Sequence, residues 1–317
     1  MSFVPTISSA SSVQIRKNTP MNSHKIHSHD GNDGPLESLC SISLRACDSM
    51  TPLITSIYDE LILSSSKSGG NDVKKVKRDN SAFTIADGTV QRLLIKCLFS
   101  GLEFRDIVGE EEEEGGKEDD DIDWYQVQGL TIPSHIQPIV DTTRSQIETL
   151  KENSRKSNGN EAFYSNLTVF IDPIDGTREF TNGEGEQCSI CIGFADEYGK
   201  AIAGVVYRPL SKGGPTWVAG AKSEGYAAYH FGDEREEQSM NGALLSTNGS
   251  ISPFLESLID ELDVPRIKAG GAGNKMMMLL QKSISAADKE ELFASNYGHL
   301  YIQDRGVSRW DTCSAEV

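Results

Sequence analysis

The chain has 317 residues, of which 37% are hydrophobic, and 47 acidic against 30 basic side chains give a formal net charge of −17. That length buries a core for one large or two medium domains, and no apolar run approaches the ~20 residues of a membrane helix. The negative field argues against unaided nucleic-acid binding, whereas a small anionic substrate is compatible with it where cations offset the charge.

Residues 1–35, rich in Ser, Asn, His and Gly, read as an unstructured tail. They are acid-free through His29, which is also the composition of an organelle transit peptide. With a single Arg and no clear amphipathic face the plain tail is favoured. A cytoplasmic location is expected, with a mitochondrion or plastid as the alternative. We read no secretory leader, so reduced thiols are expected, and His24, His27 and His29 are not read as a metal site.

From Leu36 to Leu63 apolar residues recur at helical spacing (Leu36, Leu39, Ile42, Cys47, Met50, Leu53, Ile57, Leu61). Pro52 is expected to kink this helix or to open a second one. Residues 64–81 read as a Ser/Gly/Lys linker. Thr84-Ile85-Ala86-Asp87 leads into a helix through Val90, Leu93, Leu94, Cys97 and Leu98, and an Asp at that position is by itself a cap for free N–H groups. Ile107-Val108-Gly109-Glu110 is a short strand that runs into acid. Ten of the fourteen residues from Glu110 to Asp123 are acidic, and self-repulsion keeps such a run solvated. Glu110 differs from the rest because it sits at a strand end. Residues 124–165 read as an insertion with a helix near 141–152.

The most specific stretch is Leu167–Phe180, LTVFIDPIDGTREF. An apolar β-branched run (Leu167, Val169, Ile171) ends as a strand at Asp172, because Pro173 cannot donate a ladder hydrogen bond. Asp172 and Asp175 on one tight turn, with the Ile174 carbonyl, offer three hard oxygens, a donor set suited to Mg²⁺. Gly176 and Thr177 offer N–H groups and a hydroxyl to an anion at the start of a helix.

Two strands follow, Gln187 to Ala195 and Ala201 to Tyr207, as a hairpin. Further strand-like runs lie at 216–219, 225–229, 243–246 and 267–269, with an amphipathic helix at 254–262. Cys188 and Cys191 stand three apart in a strand-like run and so point to opposite faces. They read as two separate buried thiols, and the six cysteines show no zinc spacing. Gly270-Gly271-Ala272-Gly273-Asn274-Lys275 is a glycine-rich turn from strand to helix, where backbone can approach a phosphate or sugar and Lys275 supplies a cation. It is not a Walker P-loop, and the methionines after it read as core. Residues 283–298 read as a loop insertion, 300–302 as a last strand, and Trp310-Asp311-Thr312-Cys313 as the opening of a helix.

Ala86-Asp87, Gly109-Glu110-Glu111, Asp172-Pro173-Ile174-Asp175-Gly176-Thr177 and Trp310-Asp311, in that order, resemble the inositol monophosphatase superfamily of lithium-sensitive, magnesium-dependent phosphatases. Gly-Ala-Gly-Asn-Lys and Trp-Asp-Thr-Cys look most like its 3′(2′),5′-bisphosphate nucleotidase branch. The resemblance covers about residues 36–317. It implies a layered α/β/α/β/α sandwich, with an N-terminal metal-binding half over 36–200 and a C-terminal substrate half over 201–317. It implies two or three Mg²⁺ ions held by Glu110, Asp172, the Ile174 carbonyl, Asp175 and Asp311. Asp87 and Thr177 would orient and deprotonate the attacking water, Glu111 would neighbour Glu110, and Gly271 and Lys275 would touch the nucleotide.

Three departures accompany it. The family pattern continues for roughly one strand-and-helix layer after the Trp-Asp helix, so a truncated C-terminal layer is expected. Where the nucleotidase branch carries an Arg- and His-containing turn, this chain reads Ser246-Thr247-Asn248-Gly249-Ser250. The acidic run and the 283–298 insertion are long, and both flank the expected site. The leading reading is a phosphatase that removes the 3′-phosphate of adenosine 3′,5′-bisphosphate. The alternatives are an inositol polyphosphate 1-phosphatase and a catalytically weak metal-binding homologue.

Overall fold

The computed structural model describes residues 24–25, 34–65, 74–76, 82–111, 123–157, 161–232, 244–263, 265–287, 300–302 and 308–317. The expected acidic run beyond Glu111, the tail other than 24–25, and the 288–298 part of the expected insertion lie outside these residues. The first half forms β1 (His24–Lys25), α1 (Pro35–Ser65), β2 (Lys74–Val76), β3 (Ala82–Thr84), α2 (Ile85–Arg92) with a π-helical continuation (Leu93–Phe99), β4 (Asp106–Gly109), β5 (Gln126–Val127), β6 (Leu130–Thr131), α3 (Gln137–Ser157) and α4 (Glu161–Tyr164). Then come β7 (Thr168–Asp175), α5 (Thr177–Asn182), β8 (Ser189–Ala195), β9 (Ala201–Arg208), β10 (Thr216–Ala221), β11 (Tyr226–His230), β12 (Leu244–Thr247), α6 (Pro253–Leu262), β13 (Arg266–Ala269), α7 (Ala272–Ala287), β14 (Leu300–Tyr301) and α8 (Arg309–Thr312).

Among the described residues the main sheet has seven strands in the order β1-β11-β10-β9-β8-β7-β4. All pairs are antiparallel except β4 with β7. Helices α1 and α2 pack on one face, with α3 against α1, while α7 and α8 pack against β7 and β8. With both faces covered, β8 is buried at every position and β7 at all but its first; such strands read as continuous apolar runs. A second, three-stranded parallel sheet, β13-β12-β14, lies beyond, with α7 touching β14. Leu255 and Ile259 of α6 pack on Leu244 of β12. This is the layered α/β arrangement expected, and no described helix is long and apolar enough to cross a membrane.

The α1 stripe is buried as the spacing requires, Leu36, Leu39, Ile42, Cys47, Met50, Leu53, Ile57 and Leu61 all joining the main core. Its first-turn N–H groups at Leu36 and Glu37 donate to the Glu224 carboxylate at 2.9 and 2.8 Å, a cap delivered from the far side of the sequence.

Several expectations change. Pro52 sits inside one continuous helix, so no second helix begins there. Lys74–Val76 pairs with β3 instead of serving as linker, and His24–Lys25 adds an edge strand to β11 where a tail was expected. Backbone pairing partners far along the chain decide both. The helix near 141–152 extends over 137–157, and α7 continues to Ala287 where a loop was expected from 283. The helix after Arg92 winds as a π-helix; this wider turn buries Leu93, Leu94, Ile95, Cys97, Leu98 and Phe99 together. Finally, β7 runs past Asp172 to Asp175, its pairing with β8 shifting register between those two residues, across Pro173. A strand can continue past a proline where the ladder is interrupted.

Candidate metal centre

Because β4 and β7 are parallel, their C-terminal ends open on the same side. Gly109 pairs with Ile171, and the N–H of Glu110 donates to the Ile171 carbonyl at 2.9 Å. That pairing sets Glu110 beside Asp172. The register shift after Asp172 then brings Asp175 round, and α8 lies against β7 with Asp311 in its first turn. Carboxylate oxygens of Asp172, Asp175 and Asp311 all lie within 4.8 Å of one another. Asp172 and Asp175 are buried and Asp311 is half-buried.

Such a cluster resists ionisation. Burial lifts the Asp172 carboxyl well above the ordinary range, and the charges of Glu110, Asp175 and Asp311 lift it further. Burial also raises Asp175, against hydrogen bonds from Ala272 and Ser189, and raises Asp311, against the Ser308 N–H. Unprotonated carboxylates cannot donate to one another, so close packing needs protons or cations between them. The Oδ1 atom of Asp172 is buried with no hydrogen-bond partner. An orphaned anionic oxygen facing two more carboxylates fits a hard divalent cation.

Each acid is aimed by a local device. Thr84 and Asp87 form a capping box at α2, in which the Thr84 N–H and hydroxyl donate to Asp87 Oδ2 at 2.8 and 2.5 Å. Ser308 and Asp311 repeat the device at α8, the Ser308 N–H donating to Asp311 Oδ2 at 2.5 Å. The cap reading of Asp87 is therefore met, and its other oxygen is left for a second task. The hydroxyl of Thr177 lies 2.9 Å from Asp87 Oδ1 and 3.0 Å from the Ile174 carbonyl, and donates toward these acceptors. Asp87 is pushed up to about 7, by burial first and by the charges of Glu111 and Glu110.

The glycine-rich turn behaves differently from expectation. The N–H groups of Ala272 and Gly273 donate to Asp175 Oδ1 and Oδ2, both at 2.8 Å. They engage an internal carboxylate where an external phosphate or sugar was expected. Gly271 has φ +62, and a Cβ there would fall 2.7 Å from the Gln187 carbonyl and 2.9 Å from Asp175 Oδ2. Only glycine lets this turn close on the acid. Lys275 is 4% exposed, its ammonium 3.5 Å from the Ala269 carbonyl and over the Tyr301 ring. Burial lowers its pKa while Asp175, Glu179 and Asp311 pull it up, so it serves the cluster as an internal counter-charge.

The structure thus brings Asp172, Asp175 and Asp311 together, ties Thr177 to Asp87 and to the Ile174 carbonyl, sets Gly271 and Lys275 against Asp175, and leaves Glu110, whose charge acts on Asp172, outside the three-carboxylate group. Sequence reasoning missed their supports. Gln91 holds Glu111 at both ends, accepting its N–H at 2.9 Å and donating to its carbonyl at 2.7 Å. Ser189 donates to Asp175 Oδ2 at 2.8 Å. The two capping boxes were legible as Thr-x-x-Asp and Ser-x-x-Asp; nothing local marks Gln91 or Ser189. Cys188 and Cys191 are indeed separate: Cys188 lies in the main core and Cys191 packs with Val206 and Met277. All six thiols are free and buried.

A model of the inositol monophosphatase family matches residues 36–317. The chain is similar to 3′(2′),5′-bisphosphate nucleotidase 1 of Rattus norvegicus, at 33% identity over 156 residues, covering 48% of this chain and 46% of that protein. It is also similar to inositol monophosphatase 3 of Danio rerio, at 25% identity over 174 residues, covering 52% and 44%. The matched stretch thus spans about half the length of these relatives. Among solved structures, an IMPase/NADP phosphatase complexed with NADP and Ca²⁺ superposes with a TM-score of 0.50 at 15% identity, covering 89% of this chain and 80% of that one, a likeness of fold.

Proposed function

Since the chain belongs to the inositol monophosphatase family, we propose that it is a Mg²⁺-dependent phosphatase of small phosphate monoesters, with adenosine 3′,5′-bisphosphate as its substrate and AMP as the product. The observation that carries this reading is the buried triad Asp172, Asp175 and Asp311 with the unpartnered Asp172 Oδ1. These residues, with Glu110 and the Ile174 carbonyl, would hold divalent cations. When bound, such ions lower the pKa of water and neutralise phosphoryl oxygens. The protein's own part is proton handling and positioning. Thr177 Oγ1, donating toward Asp87, keeps a lone pair free to accept from a water, and Asp87 takes the proton through that hydroxyl. Lys275 offsets part of the negative field that a phosphate dianion would otherwise meet.

The nucleotide choice is supported by the higher identity to the rat nucleotidase than to the zebrafish inositol monophosphatase. Phosphate release is measured with adenosine 3′,5′-bisphosphate and with inositol 1,4-bisphosphate, with Mg²⁺ or EDTA present. Mg²⁺-dependent turnover of the nucleotide, inhibited by Li⁺, is expected. Turnover of the inositol alone overturns the substrate assignment. Absence of turnover on both, with Mg²⁺ still bound, overturns the enzyme and leaves a metal-binding homologue.

A further inference from the structure

A second pair of turns stands close to the carboxylates. β12 and β13 are parallel, so their C-terminal ends open together, into the turns at Asn248–Gly249 and Gly270–Gly271. Both turns lean on Glu179 of α5. Asn248 Nδ2 donates to Glu179 Oε1 at 2.8 Å, and a Cβ on Gly270 would fall 2.2 Å from Glu179 Cγ. Arg178, one residue past Thr177, extends its guanidinium over the first turn. Its Nη1 lies 3.0 Å from where a Gly249 Cβ would stand.

Two of the other cations of this region are engaged, while Lys268 of β13, set opposite Ser246, is exposed. Arg266 donates from Nε to Ser246 Oγ at 2.6 Å and from Nη2 to the Thr247 carbonyl at 3.0 Å. Lys275 is buried against the carboxylates. Arg178 is exposed and, among the described residues, its guanidinium forms no ion pair. An arginine fork matches phosphate oxygens in two parallel bonds. In a chain of net charge −17, a guanidinium with no ion-pair partner among the described residues, one residue past Thr177, is a local cation of the kind an anionic substrate requires.

We propose that Arg178, held over the Asn248–Gly249 turn, binds the second, non-reacting phosphate of a bisphosphorylated substrate. This assignment rests on the phosphatase reading above. It gives the chain a basic contact although the 246–250 turn carries neither Arg nor His.

Calorimetric binding of AMP and of adenosine to the full chain, with Mg²⁺ present, tests the subsite without turnover. The wild-type protein binds AMP about tenfold or more tighter than adenosine. Arg178→Gln erases that preference while leaving adenosine affinity and circular dichroism unchanged, and Arg178→Lys restores part of it. A wild-type protein with no preference for AMP, or an Arg178→Gln variant that keeps it, overturns the proposal. Loss of the preference in Arg178→Gln from a protein that releases no phosphate from any monoester leaves the subsite standing and overturns the phosphatase reading instead.

Discussion

Replacing Asp87 with Asn separates the charge of this residue from its shape. In the folded chain burial holds the carboxyl up to about 7 against an ordinary 3.8, even with Thr84 donating to it. A carboxyl whose folded pKa is raised binds its proton more tightly in the folded state. Its stabilising contribution is complete below the unfolded value and is lost as pH climbs to the folded one. From 3.8 to about 7 that loss is about 4 kcal/mol. Asn carries no charge into the interior and loses nothing over the same window. Urea unfolding in EDTA, at pH values from about 3.5 to 8, should show the free-energy difference between Asp87→Asn and wild type shifting in favour of the variant by about 4 kcal/mol as pH rises. The neighbouring carboxyls titrate in both proteins and largely cancel. At the upper end of the range the variant should have lost roughly 10²- to 10⁴-fold in turnover, because an amide cannot take the proton passed by Thr177. A stability difference that does not move with pH would refute the buried-acid reasoning, and near-normal turnover would remove Asp87 from the proton path.

Asp172→Asn should bind Mn²⁺ weakly by calorimetry and lose on the order of 10³-fold or more in turnover, since it removes the orphaned anionic oxygen of the triad; intact metal binding would contradict the ligand assignment. Thr177→Ala should lower kcat by roughly 10²-fold with little change in KM, because the hydroxyl donates to Asp87 Oδ1 at 2.9 Å and is proposed to pass a proton there; an effect confined to KM would make Thr177 a binding residue only. Gly271→Ala should destabilise by about 2 kcal/mol or more in thermal unfolding, as it puts a side chain in the left-handed region and 2.7 Å from a backbone carbonyl; a neutral result would mean that the turn does not close on Asp175.

Much of the site is written locally. The β7 strand as far as Asp172 and the two carboxylates of Asp172-Pro173-Ile174-Asp175 follow from neighbours within a few residues, whereas its run on to Asp175 depends on pairing with β8. Asp87 and Asp311 each sit three residues after a hydroxyl at a helix start, so their capping geometry is readable at that spacing. The Lys275 cation and the Gly270-Gly271 turn were equally visible as residues, but not in what they face. Gln91 grips Glu111 across 20 residues, and Asp175 captures the α7 N–H groups across 97 and 98 residues. Pairings at that separation leave no periodicity to read.

From sequence alone, then, come the apolar stripe of α1, the buried central strands and the identity of the acids, because helix, strand and cap depend on residues one to four apart. Tertiary structure alone decided that the glycine turn serves Asp175, that Lys275 turns inward, that His24–Lys25 joins the sheet and that Arg178 overhangs the Asn248 turn. These depend on which surfaces meet when the layers stack, and a contact between surfaces is encoded only by both partners together.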